Sequence, residues 1–209
     1  MLFHKNMSYT LYENDLPNDF DLGKEIAIDT ETLGLNNFRD RLCMVQLSSG
    51  DGNAHMVHFS NNDYTNSPNL IKLLMDESIL KIMHYARFDM AILQKTFGFP
   101  IRNVYCTKIA SKIARTYTDT HGLKVLVKEF FGIDISKREQ SSYWGGNLSE
   151  EQVKYAANDV LFLHEIKKHL DNILKREKRE ELAKKCFEFL NTRVNLDLQG
   201  WLDVEIFEH

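Results

Sequence analysis

The first third of the chain carries short apolar runs with the spacing of β-strands. These runs predict four strands, at residues 7–12, 25–31, 41–49 and 54–59. In the second of these strands, apolar residues lead into two acids, Asp29 and Glu31, two positions apart. Because successive side chains of a strand point to opposite faces, the two carboxylates project from the same face.

From residue 67 onward the pattern alternates between short strands and amphipathic helices. Strands are predicted at 80–84 and 103–106, and helices at 67–75, 88–97, 107–117, 123–131, from 149 toward 170, and at about 172–190. Ser67 is the predicted N-cap of the first helix, and Ser149 begins a capping box. An antiparallel meander followed by β–α alternation predicts an α/β fold, with a mixed β-sheet and flanking helices in a single domain.

Composition narrows the function classes. The net charge of −4 argues against a chain-wide basic surface for long nucleic acids. Three widely spaced cysteines indicate neither a zinc site nor a disulfide framework. Apolar runs stay short of the roughly 20 residues of a membrane span, and the first residues lack the apolar core of a secretory signal. We therefore expect a cytoplasmic protein with no membrane partner.

Acidic residues occur at three suggestive places. Asp29 and Glu31 follow an apolar stretch, where two adjacent carboxylates repel each other unless a cation lies between them. The alternative interpretation is that they are two solvated acids at a strand end. Asp89 lies at a strand–helix junction, where a metal ligand and an ordinary first-turn acid are alternatives. Tyr155 and Asp159, four residues apart, share a helix face, and they could also be an inward-packed tyrosine beside a paired acid.

The order Asp-x-Glu, then Asp, then Tyr-x-x-x-Asp resembles the DEDDy 3′–5′ exonuclease superfamily. Other segments resemble ribonuclease D-like proteins, and among them the short nanoRNase C branch, which degrades dinucleotides; they are residues 41–47, 106–111, 115–119, 134–137 and 195–201. The resemblance implies an RNase H-like exonuclease fold in one domain over residues 1–209. The catalytic core would cover about 20–175, followed by a C-terminal helix and apolar tail at 176–209. The helical HRDC domain of longer ribonuclease D proteins would be missing.

The resemblance also implies a role for each acid. Asp29, Glu31, Asp89 and Asp159 would be catalytic ligands of two divalent metal ions, Mg²⁺ or Mn²⁺, which prefer carboxylate oxygens. In this assignment Asp29, Glu31 and Asp159 hold one ion, Asp29 and the scissile phosphate help to hold the second, and Asp89 binds through water. Tyr155 would either orient the attacking water or deprotonate it.

Further residues are expected to bind substrate, namely Thr30, Thr32, Leu35, His84, Lys137, Gln140 and Ser141. Leu35 either wedges between two bases or is a core leucine. The loop at 136–144 either holds a terminal phosphate or is a solvated connection. His84 is expected to be structural rather than catalytic. Two positions depart from the family pattern, since Tyr85 stands where many relatives have Asn, and Tyr143 where they tend to have Asp.

The sequence thus predicts a 3′–5′ exoribonuclease that cleaves very short RNA, chiefly dinucleotides, to nucleoside 5′-monophosphates. One alternative is ribonuclease D-like trimming of longer RNA or single-stranded nucleic acid. Another, from a different class, is a catalytically silent nucleic-acid-binding or assembly module. The apolar tail at 196–207 and the resemblance together predict a homo-oligomer, with an octameric ring as the arrangement that the resemblance suggests.

Overall fold

The structure, a computed structural model, describes residues 8–135, 139 and 141–208. Its centre is a six-stranded mixed sheet with the order β1-β4-β3-β2-β5-β6. The strands are β1 Ser8–Glu13, β2 Glu25–Thr32, β3 Leu42–Ser48, β4 Asn53–His58, β5 Leu80–Met83 and β6 Val104–Cys106. Strands β4, β3 and β2 pair antiparallel, whereas the β1–β4, β2–β5 and β5–β6 pairs are parallel. The predicted mixed sheet is confirmed, and the acidic strand β2 lies inside it.

Helices cover both faces of this sheet. They are α1 Pro68–Met75, α2 Ala86–Phe97, α3 Thr107–Ala114, α4 Leu123–Phe131, α5 Glu150–Leu161, α6 Leu163–Arg176 and α7 Glu180–Leu196. Alternate residues of β2 enter two separate cores, with Ala27 on the α5 side and Ile26 and Ile28 on the α2 side. This alternation follows from the two-residue period of a strand. It places Asp29 and Glu31 on the same face as Ala27.

The first helix is capped by a different residue from the predicted one. The Ser67 hydroxyl donates to the carbonyl of Asn14 at 2.6 Å and makes no cap to the helix. The carboxylate of Asp15 instead accepts the backbone N–H groups of Asn69 and Leu70 at 3.0 and 2.8 Å. Ser67 does occupy the predicted N-cap position before Pro68, but its side chain does not cap the helix, because the carboxylate of Asp15 accepts the free helix N–H groups.

The helix predicted from 149 toward 170 is two helices. The capping box of Ser149 and Gln152 is confirmed, but α5 ends at Leu161 and α6 begins at Leu163. Residue 162 and both of its neighbours are buried. Three consecutive residues cannot all face one side of a regular helix at 3.6 residues per turn. The break at Phe162 lets all three side chains enter the core.

Two other predicted helices have different boundaries. The helix predicted at 107–117 ends at Ala114, because the buried Arg115 turns inward and donates to Ser111 Oγ and the carbonyl of Thr120. The mixed-charge helix predicted at about 172–190 is interrupted between α6 and α7, where Lys178 has a positive φ of 56°. The charged run therefore forms a helix–helix turn rather than one solvated helix face.

The C-terminal segment is anchored by its backbone and leaves apolar side chains exposed. The buried carboxylate of Asp197 accepts hydrogen bonds from Arg87 and Arg193, and both arginines also donate to the carbonyl of Leu202. Beyond this anchor the side chains of Trp201 and Phe207 are 44% and 66% exposed. The Phe207 ring lies 5.9 Å from the ring of Phe189 on α7, so the segment is docked on its own domain only in part. None of the helices in the described part of the chain is long and apolar enough to cross a membrane.

Candidate active site

Three of the predicted acids meet on one face of the sheet. Asp29 and Glu31 project from the end of β2, and Asp159 projects from α5, which packs across β2, β3 and β4. One carboxylate oxygen from each lies within 4.8 Å of the other two. The two-residue period of β2 puts Asp29 and Glu31 on one face, and the packing of α5 across that face brings Asp159 to them. Three oxygen ligands at this spacing suit a hard divalent cation.

The fourth acid arrives on α2, which follows β5. Asp89 is in the first turn of this helix and is buried. Its carboxylate accepts a hydrogen bond from the Thr30 hydroxyl at 2.7 Å. Thr30 lies between the two acids of β2, so this bond fixes Asp89 next to them. Thr30 is therefore occupied within the protein and orients an acid.

The residue that precedes α2 adopts an unusual backbone conformation. Tyr85 is the N-cap of α2 and is left-handed, with φ 64° and ψ 41°. This conformation costs a bulky residue roughly 1–2 kcal/mol, whereas Asn visits it readily. Asn would therefore fit this backbone conformation with less strain than Tyr85 does. The Tyr85 ring is 47% exposed, and the ammonium of Lys108 lies 4.1 Å from its centroid.

Burial makes the acidic cluster electrostatically costly. Desolvation, followed by repulsion from neighbouring carboxylates, raises the pKa of Asp29 and of Glu31 well above the ordinary value. Desolvation raises the pKa of Asp89 and of Asp159 to about 7. Four such groups are stable together when they are protonated or when cations neutralise them. The donor set, all carboxylate oxygens, fits Mg²⁺ or Mn²⁺.

Without metal, the protein is expected to be more stable near pH 5 than near pH 8. A carboxyl whose folded pKa is raised stabilises the fold at acidic pH, and this contribution is lost as pH rises through the folded pKa, here about 7 for Asp89 and Asp159. Each kcal/mol lost from the free energy of unfolding lowers the melting temperature of a chain of this size by roughly 2–4 °C. Thermal melts in chelator across this range check the expectation, and excess Mg²⁺ should abolish the decline. A melting temperature that stays level or rises with pH would contradict it.

Tyr155 precedes Asp159 by one helical turn. Its hydroxyl lies near the Asp159 carboxylate, and its ring centroid is 6.1 Å from that of the buried Trp144 ring. Burial, and then the carboxylates of Asp159, Glu31 and Asp29, raise the pKa of Tyr155 above its usual value. The structure therefore presents a neutral phenol beside the acids.

A cavity of about 820 Å³ opens above these acids, and five predicted substrate residues line it: Thr30, Thr32, Leu35, His84 and Ser141. The Thr32 hydroxyl is occupied, since it donates to the carbonyl of Gly34 at 2.5 Å. His84 Nδ1 is 2.9 Å from Thr107 Oγ1, and burial lowers the pKa of His84 to about 3. This neutral, hydrogen-bonded histidine agrees with a structural role. Lys137 and Gln140 lie outside the described residues.

Leu35 is held out over the cavity. Its side chain is 87% exposed, so the interpretation as a core leucine was wrong. The loop around it is fixed by Asp40, whose carboxylate accepts the backbone N–H of Asn36 at 3.0 Å. The same carboxylate lies where a Cβ on Gly34 would have to be. A glycine is therefore required beside Leu35 for the loop to close in this way.

Sequence reasoning missed two cations on the cavity wall. Lys108 and Lys124 belong to the first turns of α3 and α4, and both line the cavity. Within the described residues neither forms an ion pair with a carboxylate. Their location beside the cavity depends on how α3 and α4 pack in the fold, which the local sequence does not show. They give the cavity a positive wall opposite in sign to its acidic floor.

Comparison with known proteins assigns the family. A family model described as a 3′–5′ exonuclease matches residues 12–175. The structure of Brucella melitensis NrnC bound to pGG is 50% identical, with a TM-score of 0.91, over 98% of this chain and 100% of that chain. NrnC of the same organism with bound Mg²⁺ is also 50% identical, with a TM-score of 0.91, over 97% and 100% of the two chains.

A curated relative has a longer chain. Ribonuclease D of Gluconacetobacter diazotrophicus is 33% identical over 155 residues, which is 74% of this chain and 39% of the relative. The chain thus spans about two fifths of the length of this ribonuclease D. The resemblance to ribonuclease D-like exonucleases is confirmed. This chain belongs to the 3′–5′ exonuclease family that uses divalent metal ions, and within it to the ribonuclease D-like group that includes Brucella NrnC.

Proposed function

We propose that the chain is a metal-dependent 3′–5′ exoribonuclease that hydrolyses very short RNA, chiefly diribonucleotides, to nucleoside 5′-monophosphates. One observation carries this proposal: the buried Asp89, three half-buried carboxylates and a tyrosine hydroxyl converge on the floor of a single cavity. A module that only binds nucleic acid has no use for clustered negative charge facing phosphate. The cavity volume lies within the range typical of small-ligand sites.

Two divalent ions, Mg²⁺ or Mn²⁺, would be held by the acids. Asp29, Glu31 and Asp159 would hold one ion, Asp29 and the scissile phosphate would help to hold the second, and Asp89 would bind through water. When bound, such ions neutralise charge on the phosphoryl oxygens, activate a water and stabilise the leaving oxygen. The donor chemistry and the raised pKa values of the four acids support this assignment.

The protein's own groups would then orient the reactants. Tyr155, one helical turn before Asp159, presents its hydroxyl to the attacking water. Thr30 holds the Asp89 carboxylate in place. A substrate bound in the cavity displaces water from the acids, which strengthens each of these interactions. Such positioning is the main contribution that a protein makes to phosphodiester hydrolysis.

The preference for dinucleotides rests on two observations. Leu35 is an exposed apolar side chain on a fixed loop over the cavity, where it can insert between two bases. The related NrnC of Brucella melitensis has been solved with pGG bound. We assign Lys137, Gln140 and Ser141 to the terminal phosphate of the substrate, with Ser141 exposed at the cavity rim.

Leu35→Ala is expected to raise KM for a diribonucleotide roughly tenfold, in line with the ~1–3 kcal/mol that a base-stacking side chain contributes. Its melting temperature should not change, because the side chain buries almost no surface within the protein. Steady-state kinetics on a dinucleotide measures the effect. Leu182→Ala, which removes another exposed leucine far from the cavity, is the control. Equal KM values for both variants and the unaltered protein would contradict the wedge role.

We also propose that the chain forms a homo-oligomer, with an octamer as the arrangement suggested by the family resemblance. The exposed apolar side chains of the C-terminal segment, among them Trp201 and Phe207, support this proposal. Light scattering coupled to size exclusion tests it. A mass near that of one 24.4 kDa chain would contradict it.

The direct test of the proposed function uses pGG and the purified protein. With Mg²⁺ or Mn²⁺ we expect release of GMP, and a chelator should stop the reaction. Excess metal added afterwards should restore it. Folded protein that leaves pGG intact with either metal would contradict the proposal and favour a binding module.

A further inference from the structure

The buried amide of Gln46 has no partner for either of its ends. Gln46 lies in the middle of β3 and is fully buried. Neither its amide nitrogen nor its amide oxygen has a hydrogen-bond partner within the described residues. It is the one glutamine or asparagine of the described chain with both ends in this state. Buried polar groups are normally satisfied, and leaving one without a partner destabilises the fold.

The surroundings of Gln46 are apolar on the side away from the acids. Met44 precedes it on the same face of β3, and Met56 lies opposite on β4. Ser48, the other neighbour on that face, donates its hydroxyl to the carbonyl of Asn53 at 2.7 Å. A methionine or leucine would suit this position better than glutamine if packing were its only role. The amide therefore calls for a polar partner.

That partner lies on the other neighbouring strand. The antiparallel register places Gln46 directly opposite Asp29. Directly opposed residues project from the same face, with Cβ atoms about 4.5–5.5 Å apart. An ionised carboxylate such as that of Asp29 offers about four lone-pair sites, which leaves room for a hydrogen-bond donor besides its metal contacts. The two methylenes of glutamine span the gap to this carboxylate.

We propose that Gln46 is a positioning residue for the metal site: with the ions bound, its amide N–H donates to a carboxylate oxygen of Asp29. This inference rests on the proposed metal-dependent function. Carboxylate ligands are held in orientation by such outer hydrogen bonds, and losing one typically weakens metal binding or activity about 10–100-fold. Asp29 is the acid assigned to both ions, so its orientation matters most.

The test compares Gln46→Met with Met56→Leu, a buried change on the same sheet face but one strand farther from Asp29. Calorimetric titration with Mg²⁺, without RNA, is expected to give about 10–100-fold weaker binding for Gln46→Met and unchanged binding for Met56→Leu. The metal-free Gln46→Met protein should melt at the same or a higher temperature, because an unsatisfied amide has been removed. The Mg²⁺ concentration for half-maximal cleavage of pGG should rise in parallel.

Unchanged Mg²⁺ affinity in Gln46→Met would overturn the inference, and so would equal weakening in both variants. A crystal structure of the unaltered protein with Mg²⁺ gives a test that needs no variant. We expect Gln46 Nε2 about 2.7–3.2 Å from an Asp29 oxygen, and a separation beyond hydrogen-bond range would overturn the inference. If the unaltered protein neither binds Mg²⁺ nor cleaves pGG, the proposed function fails as well; if it does both, only the role of Gln46 is at stake.

Discussion

Asp29→Asn is expected to lower the rate of dinucleotide cleavage by at least about 10³-fold. Metal-assisted charge stabilisation is worth several kcal/mol in the transition state, and each ~1.4 kcal/mol is a factor of ten in rate. Asp29 is assigned to both ions and is surrounded by the other three acids. Single-turnover kinetics with saturating Mg²⁺ measures the loss.

The same change is expected to stabilise the metal-free protein. Asn removes a desolvated carboxylate whose pKa is raised by burial and by repulsion from the other three acids. Melting temperature and activity should therefore move in opposite directions, which distinguishes loss of a ligand from loss of the fold. Asp19→Asn, at an exposed position, is the matched control and should change neither quantity. An Asp29→Asn protein with normal activity would contradict the metal assignment.

Tyr155→Phe is expected to lower kcat about 10²–10⁴-fold, the range typical of a group that positions or transfers a proton in the transition state. The phenyl ring keeps the packing against Trp144, so the fold and its melting temperature should be preserved. Mg²⁺ affinity should also be preserved, because Tyr155 is not assigned as a ligand. This retained metal binding separates its effect from that of Asp29→Asn.

The control for this variant is Tyr9→Phe, which removes a hydroxyl from the exposed edge strand β1. We expect it to match the unaltered protein. The pH–rate profiles of both proteins then address the two roles left open for Tyr155, since a base adds a titrating limb that a water-orienting hydroxyl does not. A Tyr155→Phe enzyme with kcat close to that of the control would remove Tyr155 from the mechanism.

The acids could be located from the sequence because each lies in an element with a clear period. Asp29 and Glu31 follow the two-residue repeat of a strand, and Tyr155 and Asp159 the four-residue spacing of a helix face. Those periods predicted which side chains project together, and the structure places Asp29, Glu31 and Asp159 within one cluster. The assignment of their metals and roles remains a prediction from the family resemblance.

The features that escaped prediction depend on contacts between distant segments. Asp15 caps α1 from more than fifty residues away, which no local capping pattern contains. Tyr85 adopts a left-handed conformation that its residue type disfavours. In the sequence, Gln46 is a single polar residue in an apolar strand. Its position opposite Asp29 follows from the register of β3 against β2, which the sequence does not show. In each case tertiary structure decided what local sequence could not.

The exposure of Leu35 is another feature that the local sequence could not decide. An apolar residue after a buried strand is compatible with either a core or a surface position. The outcome depends on the loop that Asp40 closes against Asn36 and Gly34. That loop conformation places Leu35 at the cavity, where we propose that it limits the length of the substrate.

Substrate length is the most direct test of the central claim, that this site is built for dinucleotides. Purified protein with Mg²⁺ or Mn²⁺ is given 5′-labelled RNAs of two, three, seven and about twenty nucleotides, beside Asp29→Asn. We predict rapid cleavage of the dinucleotide, much slower cleavage of every longer RNA, and none by the variant. Comparable rates at all lengths would contradict the claim and indicate an open groove that trims longer RNA.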